Sequence, residues 1–305
     1  MKIFDLHQDL FWYSQNPDYI KSKTQSSWDM LKRNCCASFN SLNDWFEPGN
    51  NDLIEKNLDS LPKGFYYIKT KEDLQLKKND NFPIIAHIEG LNSFQGTDED
   101  WEMFERWISK GLRSVGPVWN ETNYLGGGTK DEDENSGLTE LGIEFVNYCI
   151  DSGIIVDLAH ANRKTFQDIA NILKKKGKPF FISHGNSYSV YPSYRNYTDE
   201  QFMQLAESGG VIGVFFANSF ISDKKETDLN DIYAHIKYIT DLIGKDHIAV
   251  GSDFGGILSG SPKELHSLDD IENLEKFLLN KGWSQDDVAK MFYQNSIRVL
   301  SEYLS

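Results

Sequence analysis

The chain has 305 residues, 39% of them hydrophobic and 13% aromatic, with a mean hydropathy of −0.50. That is enough apolar material for a large core, in a chain with no apolar run near the ~18 residues of a membrane span. A formal net charge of −15 and a pI near 4.9 exclude nucleic acid or an anionic membrane as the main partner, because phosphate binding needs a basic surface.

Cys35, Cys36 and Cys149 are odd in number and two are adjacent, which is no disulfide framework and fits a reducing, cytoplasmic location. Met1-Lys2-Ile3-Phe4-Asp5 has no apolar leader, so export by a cleaved signal is not expected.

Lys2 to Asp9 alternates apolar and polar residues and reads as the first strand, and Cys35 to Leu42 as a second, weaker one. Residues 50–80 are polar and read as helix and loop. Phe82 to Gly90 is an apolar strand closed by Glu89-Gly90. Residues 98–110 form a helix with Trp101, Phe104, Trp107 and Ile108 on one face and Gly111 past its end. Leu112 to Val118 is the next strand. A long loop follows, carrying Gly126-Gly127-Gly128 and the acidic run Asp131–Glu134, which reads as solvated.

Thr139 caps a helix with Leu141, Phe145, Val146 and Ile150 inward. Gly153 to His160 is a buried strand ending in a histidine. Asn162 caps a helix that closes with Lys174, Lys175, Lys176 and Gly177, before the strand Pro179 to His184. Thr198-Asp199-Glu200-Gln201 is a capping box. Val211 to Ala217 is a strand, Asp231 to Ile243 a helix, and His247 to Phe254 a strand carrying Asp253. Ser284 caps the last helix.

Eight strands, near residues 2–9, 35–41, 83–89, 112–118, 153–160, 179–184, 210–217 and 247–254, alternate with helices. This α/β pattern predicts a (β/α)8 TIM barrel, as one domain over residues 1–305.

The chemistry-bearing residues sit at strand ends. His7 and Asp9 are two apart on a strand and face one way; this pair alone is as compatible with a structural role as with a metal. Glu89 closes its strand as a hydrogen-bonded edge carboxylate or a metal bridge. His87, on the same strand face, reads as a satisfied interior histidine. His160 and His184 end consecutive strands, and Asp253 ends another.

Six such groups at one barrel mouth are hard to explain by packing, since carboxylates brought together without a cation repel. Imidazole with carboxylate suits Zn²⁺ and similar ions, and three of each can hold two metals roughly 3.5–4 Å apart. His235, His247 and His266 read as structural. Arg195 is either a surface salt bridge or a clamp for a substrate carboxylate.

Taken together these residues resemble the renal (membrane) dipeptidase family of zinc metallopeptidases, within the amidohydrolase-type barrels. The matching segments are Asp5-Leu6-His7-Gln8-Asp9, Ile88-Glu89-Gly90, Val156-Asp157-Leu158-Ala159-His160, Ser183-His184-Gly185-Asn186, Arg195-Asn196-Tyr197-Thr198-Asp199-Glu200, Gly209 to Gly213 and Gly251-Ser252-Asp253-Phe254. Each is modest, but their joint order is specific.

The resemblance implies two zinc ions per chain. His7 and Asp9 would bind one, His160 and His184 the other, and Glu89 would bridge both and act in catalysis. Asp253 would be the catalytic proton carrier and Arg195 would bind the C-terminal carboxylate of a small dipeptide, D-residues included. It also implies a homodimer. Two positions depart from the resemblance. Pro117-Val118-Trp119-Asn120 puts Trp119 where animal relatives have a histidine near the scissile carbonyl, making Trp119 and Asn120 candidate substrate contacts. Gly255 stands where relatives usually have a second aspartate. The alternatives are an amidohydrolase acting on a non-peptide amide or ester, and a metal-binding barrel without catalysis.

Overall fold

A computed structural model of the chain describes residues 1–15, 24–43, 50–74, 81–130 and 136–304; the acidic run Asp131–Glu134 lies outside the described residues. In chain order the strands are β1 (Ile3–Asp5), β2 (Cys35–Ser41), β3 (Phe65–Tyr67), β4 (Phe82–Glu89), β5 (Leu112–Gly116), β6 (Ile155–Val156), β7 (Phe181–Gly185), β8 (Val211–Val214) and β9 (Ile248–Val250). The ladders β1–β2, β1–β9, β3–β4, β4–β5, β5–β6 and β8–β9 are all parallel. Parallel strands need crossover connections, which the intervening helices supply.

All eight expected strands are present, most of them shorter than the apolar pattern suggested. β5 stops at Gly116 because Pro117 follows and cannot donate to a ladder. β6 keeps only Ile155–Val156, since Asp157 folds its carboxylate back onto the Ala159 amide (2.9 Å). β3 was not foreseen. Its three residues are only half-buried, and its pairing with Phe82–Ile84 defines it.

The helix starts behave as their caps dictate. Thr97, Thr139, Asn162, Thr198 and Ser284 each accept from an amide of the first turn. Over Arg163–Lys176, Phe166, Ile169, Ala170 and Leu173 are buried, and Gly177 closes the helix at φ 63°. The helix expected from Asp231 begins at Leu229, because Asp228 caps it through the amides of Asn230 and Asp231. Past Ser284, a helix over Gln285–Ala289 runs through a π-turn, Lys290–Gln294, into Asn295–Leu300.

The chain divides into two compact units. One holds Met1–Phe39 and Ile182–Val299, with strands in the order β2-β1-β9-β8-β7. Ile232, Ile236 and Ile239 pack fully buried from the helix Leu229–Ile243. The other holds Asn40–Phe181 and Leu300–Ser305, with β3-β4-β5-β6 in order. All eight residues of β4 are buried, and Phe145 packs against Phe94 and Phe104 at ring separations of 5.0 and 4.9 Å. Because the strands are parallel, the C-terminal ends within each unit emerge on one side. The polar strand-end residues of each unit therefore lie on that side.

Candidate metal centre

In the first unit, β1 delivers His7 and Asp9 just beyond its last residue. The backbone there stays zipped to the segment after β9: Asp253 N–H donates to the His7 carbonyl (3.1 Å) and Asp9 N–H to the Phe254 carbonyl (3.0 Å). His7 Nε2 lies 3.6 Å from Asp9 Oδ2 and 3.5 Å from Asp253 Oδ1. Donor atoms of all three buried residues fall within 4.8 Å of one another. Ligand atoms about 2.1 Å from one tetrahedral ion stand roughly 3.4 Å apart, so the spacing fits a shared cation. Asp253, expected as a proton carrier, is as close to His7 as Asp9 is. It sits at φ 62°, a left-handed conformation rare outside glycine.

Beneath this cluster lies Asp5. Its carboxylate accepts from Ser252 Oγ (2.6 Å), Ser252 N–H (2.9 Å), His7 N–H (3.3 Å) and the Gln8 amide. Burial pushes its carboxyl pKa up, and these donors pull it back. Asp5 thus ties β1 to the turn that carries Asp253.

Gly255 is explained by the same turn. At φ +94°, a Cβ would come 3.1 Å from the Asp9 carbonyl carbon, so an aspartate there would be both strained and crowded.

His184 comes from β7 and is buried. Its Nδ1 meets Ser183 Oγ (2.8 Å), and Arg195 Nη2 donates to its Nε2 (2.7 Å). The accepting Nε2 is the basic atom, so Nδ1 carries the proton. His7 and His184 rings lie 4.2 Å apart. Arg195 is only 3% exposed and stands over the Phe215 ring at 5.8 Å; it is no surface salt bridge.

In the second unit, Glu89 ends β4 and Gly90 turns the chain at φ +84°, where a Cβ would stand 2.8 Å from Trp119 Cβ. Asn43 clamps this peptide, accepting from Glu89 N–H (2.6 Å) and donating to the Gly90 carbonyl (3.1 Å). His160 sits at φ 64°. Its Nδ1 is 2.9 Å from Asn120 Oδ1, an acceptor, so Nδ1 bears the ring proton. Nε2 then faces Glu89 Oε1 at 2.8 Å. Two bases that close repel unless a proton or cation joins them, and this pair suits a zinc-type ion. Trp119, half-buried, tilts 32° to the His160 ring at 5.9 Å.

His87 is an interior histidine, with Nδ1 on Ser114 Oγ (2.9 Å) and Nε2 3.6 Å from Asp157. His235 and His247 bond backbone groups, and His266 lies in a loop before the short turn Leu268–Asp270. None of these four joins either cluster.

Residues 49–304 match the model of the membrane dipeptidase family, peptidase family M19. The chain belongs to this family. Membership makes it a metal-dependent hydrolase of the metallopeptidase type. The matched span begins after His7 and Asp9, whose places come from the sequence motif and the structure.

A Klebsiella pneumoniae relative, described as an uncharacterized protein in the pqqA 5′ region, is 35% identical over 226 residues, covering 71% of this chain and 80% of the relative. The Aspergillus oryzae dipeptidase aclJ is 29% identical over 217 residues, covering 70% of this chain and half of its own length. Among solved structures, a Rhodobacter sphaeroides metallopeptidase liganded with a phosphinate mimic of the dipeptide L-Ala-D-Ala superposes with a TM-score of 0.84 at 23% identity, over 99% of both chains. The α/β class and (β/α)8 barrel expected of this family are those of the present chain.

Asn43, Asp5 and Ser252 are the supporting residues that the sequence reading missed. Asp5 stood inside the Asp-x-His-x-Asp segment, two residues before His7 and on the same face, a signal that could have been read. Nothing local marks Asn43.

Proposed function

We propose that the chain acts as one catalytic barrel domain over residues 1–305 and is a binuclear zinc dipeptidase. His7 and Asp9 would serve one ion, His160 and His184 the other, and Glu89 both. The observation that carries the reading is the 2.8 Å approach of His160 Nε2 to Glu89 Oε1, together with the buried His7, Asp9 and Asp253 donor set. A divalent pair, when bound, brings the pKa of a water near 7 and polarises the scissile carbonyl.

The chain's own residues supply the rest. Asp253 takes a proton and passes it to the leaving amine. Arg195 leaves His184 Nε2 and pairs with the substrate's C-terminal carboxylate, which restricts the enzyme to short peptides. Trp119 and Asn120 border the substrate beside His160. The mimic of L-Ala-D-Ala bound by the Rhodobacter sphaeroides protein supports a D-residue at the C-terminal position. Among the described residues no helix is long and apolar enough to cross a membrane, and the three cysteines are free; both suit the cytoplasm we assign.

The deciding experiment is elemental analysis paired with a panel of L–L, L–D and glycine-containing dipeptides. The expected result is about two zinc per chain, with turnover removed by a chelator and restored by zinc. Two metals with turnover only on N-acyl amino acids or lactones would replace the dipeptidase by a related amidohydrolase, with Trp119 the residue to examine. Two metals with no turnover on any of these substrates would make the chain a metal-binding barrel without catalysis.

A further inference from the structure

The glycine run at 126–128 packs against the segments that carry Asn120 and His160. Lys130 N–H donates to the Asn120 carbonyl (2.7 Å) and Thr129 N–H to the His160 carbonyl (3.0 Å). Gly128 pairs with Ala161 in an isolated antiparallel bridge, and Thr129 Oγ1 reaches Asn120 Oδ1 (3.4 Å). A Cβ on Gly128 would run into the carbonyls of Trp119 and Asn120, and one on Gly127 into the Asn162 amide and the Ser136 carbonyl. The glycines therefore let this turn lie directly on the segments carrying Asn120 and His160. The side chain so held presents its oxygen to His160 Nδ1 at 2.9 Å.

We propose that Asn120 is a positioning residue for His160: it accepts the Nδ1 proton and so keeps Nε2 turned to Glu89 as the ligating atom, with the Gly126–Lys130 turn as its brace. The inference rests on reading His160 as a metal ligand and gives Asn120 a task beyond bordering the substrate. An imidazole in water exchanges its proton between both nitrogens. An acceptor fixed at Nδ1 removes that freedom and raises the basicity of Nε2.

The test uses ¹⁵N-histidine-labelled full-length protein, with His160 assigned from the spectrum of His160→Gln. In the metal-free wild type, at a pH alkaline enough to take the proton off Nε2, His160 should keep its remaining proton on Nδ1. Asn120→Ala should mix the tautomers and raise the dissociation constant of one zinc by roughly 10–100-fold. Asn120→Asp, whose carboxylate also accepts, should restore the Nδ1–H form.

If Asn120→Ala fails to fold, as read by circular dichroism, Asn120→Ser is measured in its place, its hydroxyl being too short to span the gap. A folded variant with a wild-type tautomer and zinc affinity overturns the proposal, whatever its KM. Failure of the dipeptidase reading would appear instead as a zinc-loaded wild type that turns over no dipeptide, with the tautomer and affinity results still decided.

Discussion

Replacing Arg195 tests whether its buried guanidinium is there for a substrate carboxylate. The side chain is 3% exposed, held over Phe215 and hydrogen-bonded to His184 Nε2 at 2.7 Å. A bidentate pair with a carboxylate supplies two charge-assisted bonds of ~1.5–3 kcal/mol each. Ordering and desolvating the buried pair returns part of that, so roughly 3 kcal/mol of net binding remains, about 150-fold in kcat/KM.

Arg195→Ala, loaded with zinc to the wild-type level, should lose about that factor on a dipeptide, mostly as a rise in KM. Arg195→Lys should recover only part of it, because an ammonium lacks the planar fork. The decisive comparison adds the C-terminal amide of the same dipeptide. In the wild type, amidation should cost as much as the mutation does; in Arg195→Ala it should cost almost nothing. Equal losses on acid and amide in both proteins would refute the carboxylate assignment and leave Arg195 as a support for His184.

Two further outcomes follow from the surroundings of the clusters. Gly90→Ala places a side chain at φ +84° and 2.8 Å from Trp119 Cβ; a left-handed alanine costs ~1–2 kcal/mol and the overlap ~1–3 more, so denaturant melts should show a clear loss, and an unchanged midpoint would deny the close approach. His235 accepts from Ser187 N–H and donates to the Ile221 carbonyl, and burial holds its pKa below the ordinary histidine value. The unfolded chain therefore binds the proton more readily, so this histidine's contribution is present above about pH 6.5 and is lost as pH falls below it. Urea melts of metal-free wild type and His235→Gln between pH 7 and 5 should converge towards acid; parallel curves would mean that His235 is not kept neutral.

The sequence by itself determined what local forces decide. Helix starts were legible because a cap is a bond between residues three apart, as in Thr139 to Gly142 and Asn162 to Thr165. The eight main strands were legible because a strand buried on both faces is an apolar run in any context. Chemistry-bearing residues gather at the ends of those runs, which marked His7, Asp9, Glu89, His160, His184 and Asp253 as candidates.

Tertiary structure decided whatever depends on partners remote in the chain. β3 exists through β4. Asn43 holds Glu89 from 46 residues away, Asn120 holds His160 from 40, and Asp5 holds Ser252 from 247. Gly255, a departure when read along the chain, proved to be what a turn crowded against Asp9 requires. The left-handed backbone of His160 and Asp253 was likewise invisible, because no local preference of histidine or aspartate demands it. Packing around each strand end imposes it, and that imposed geometry is what aims the two side chains.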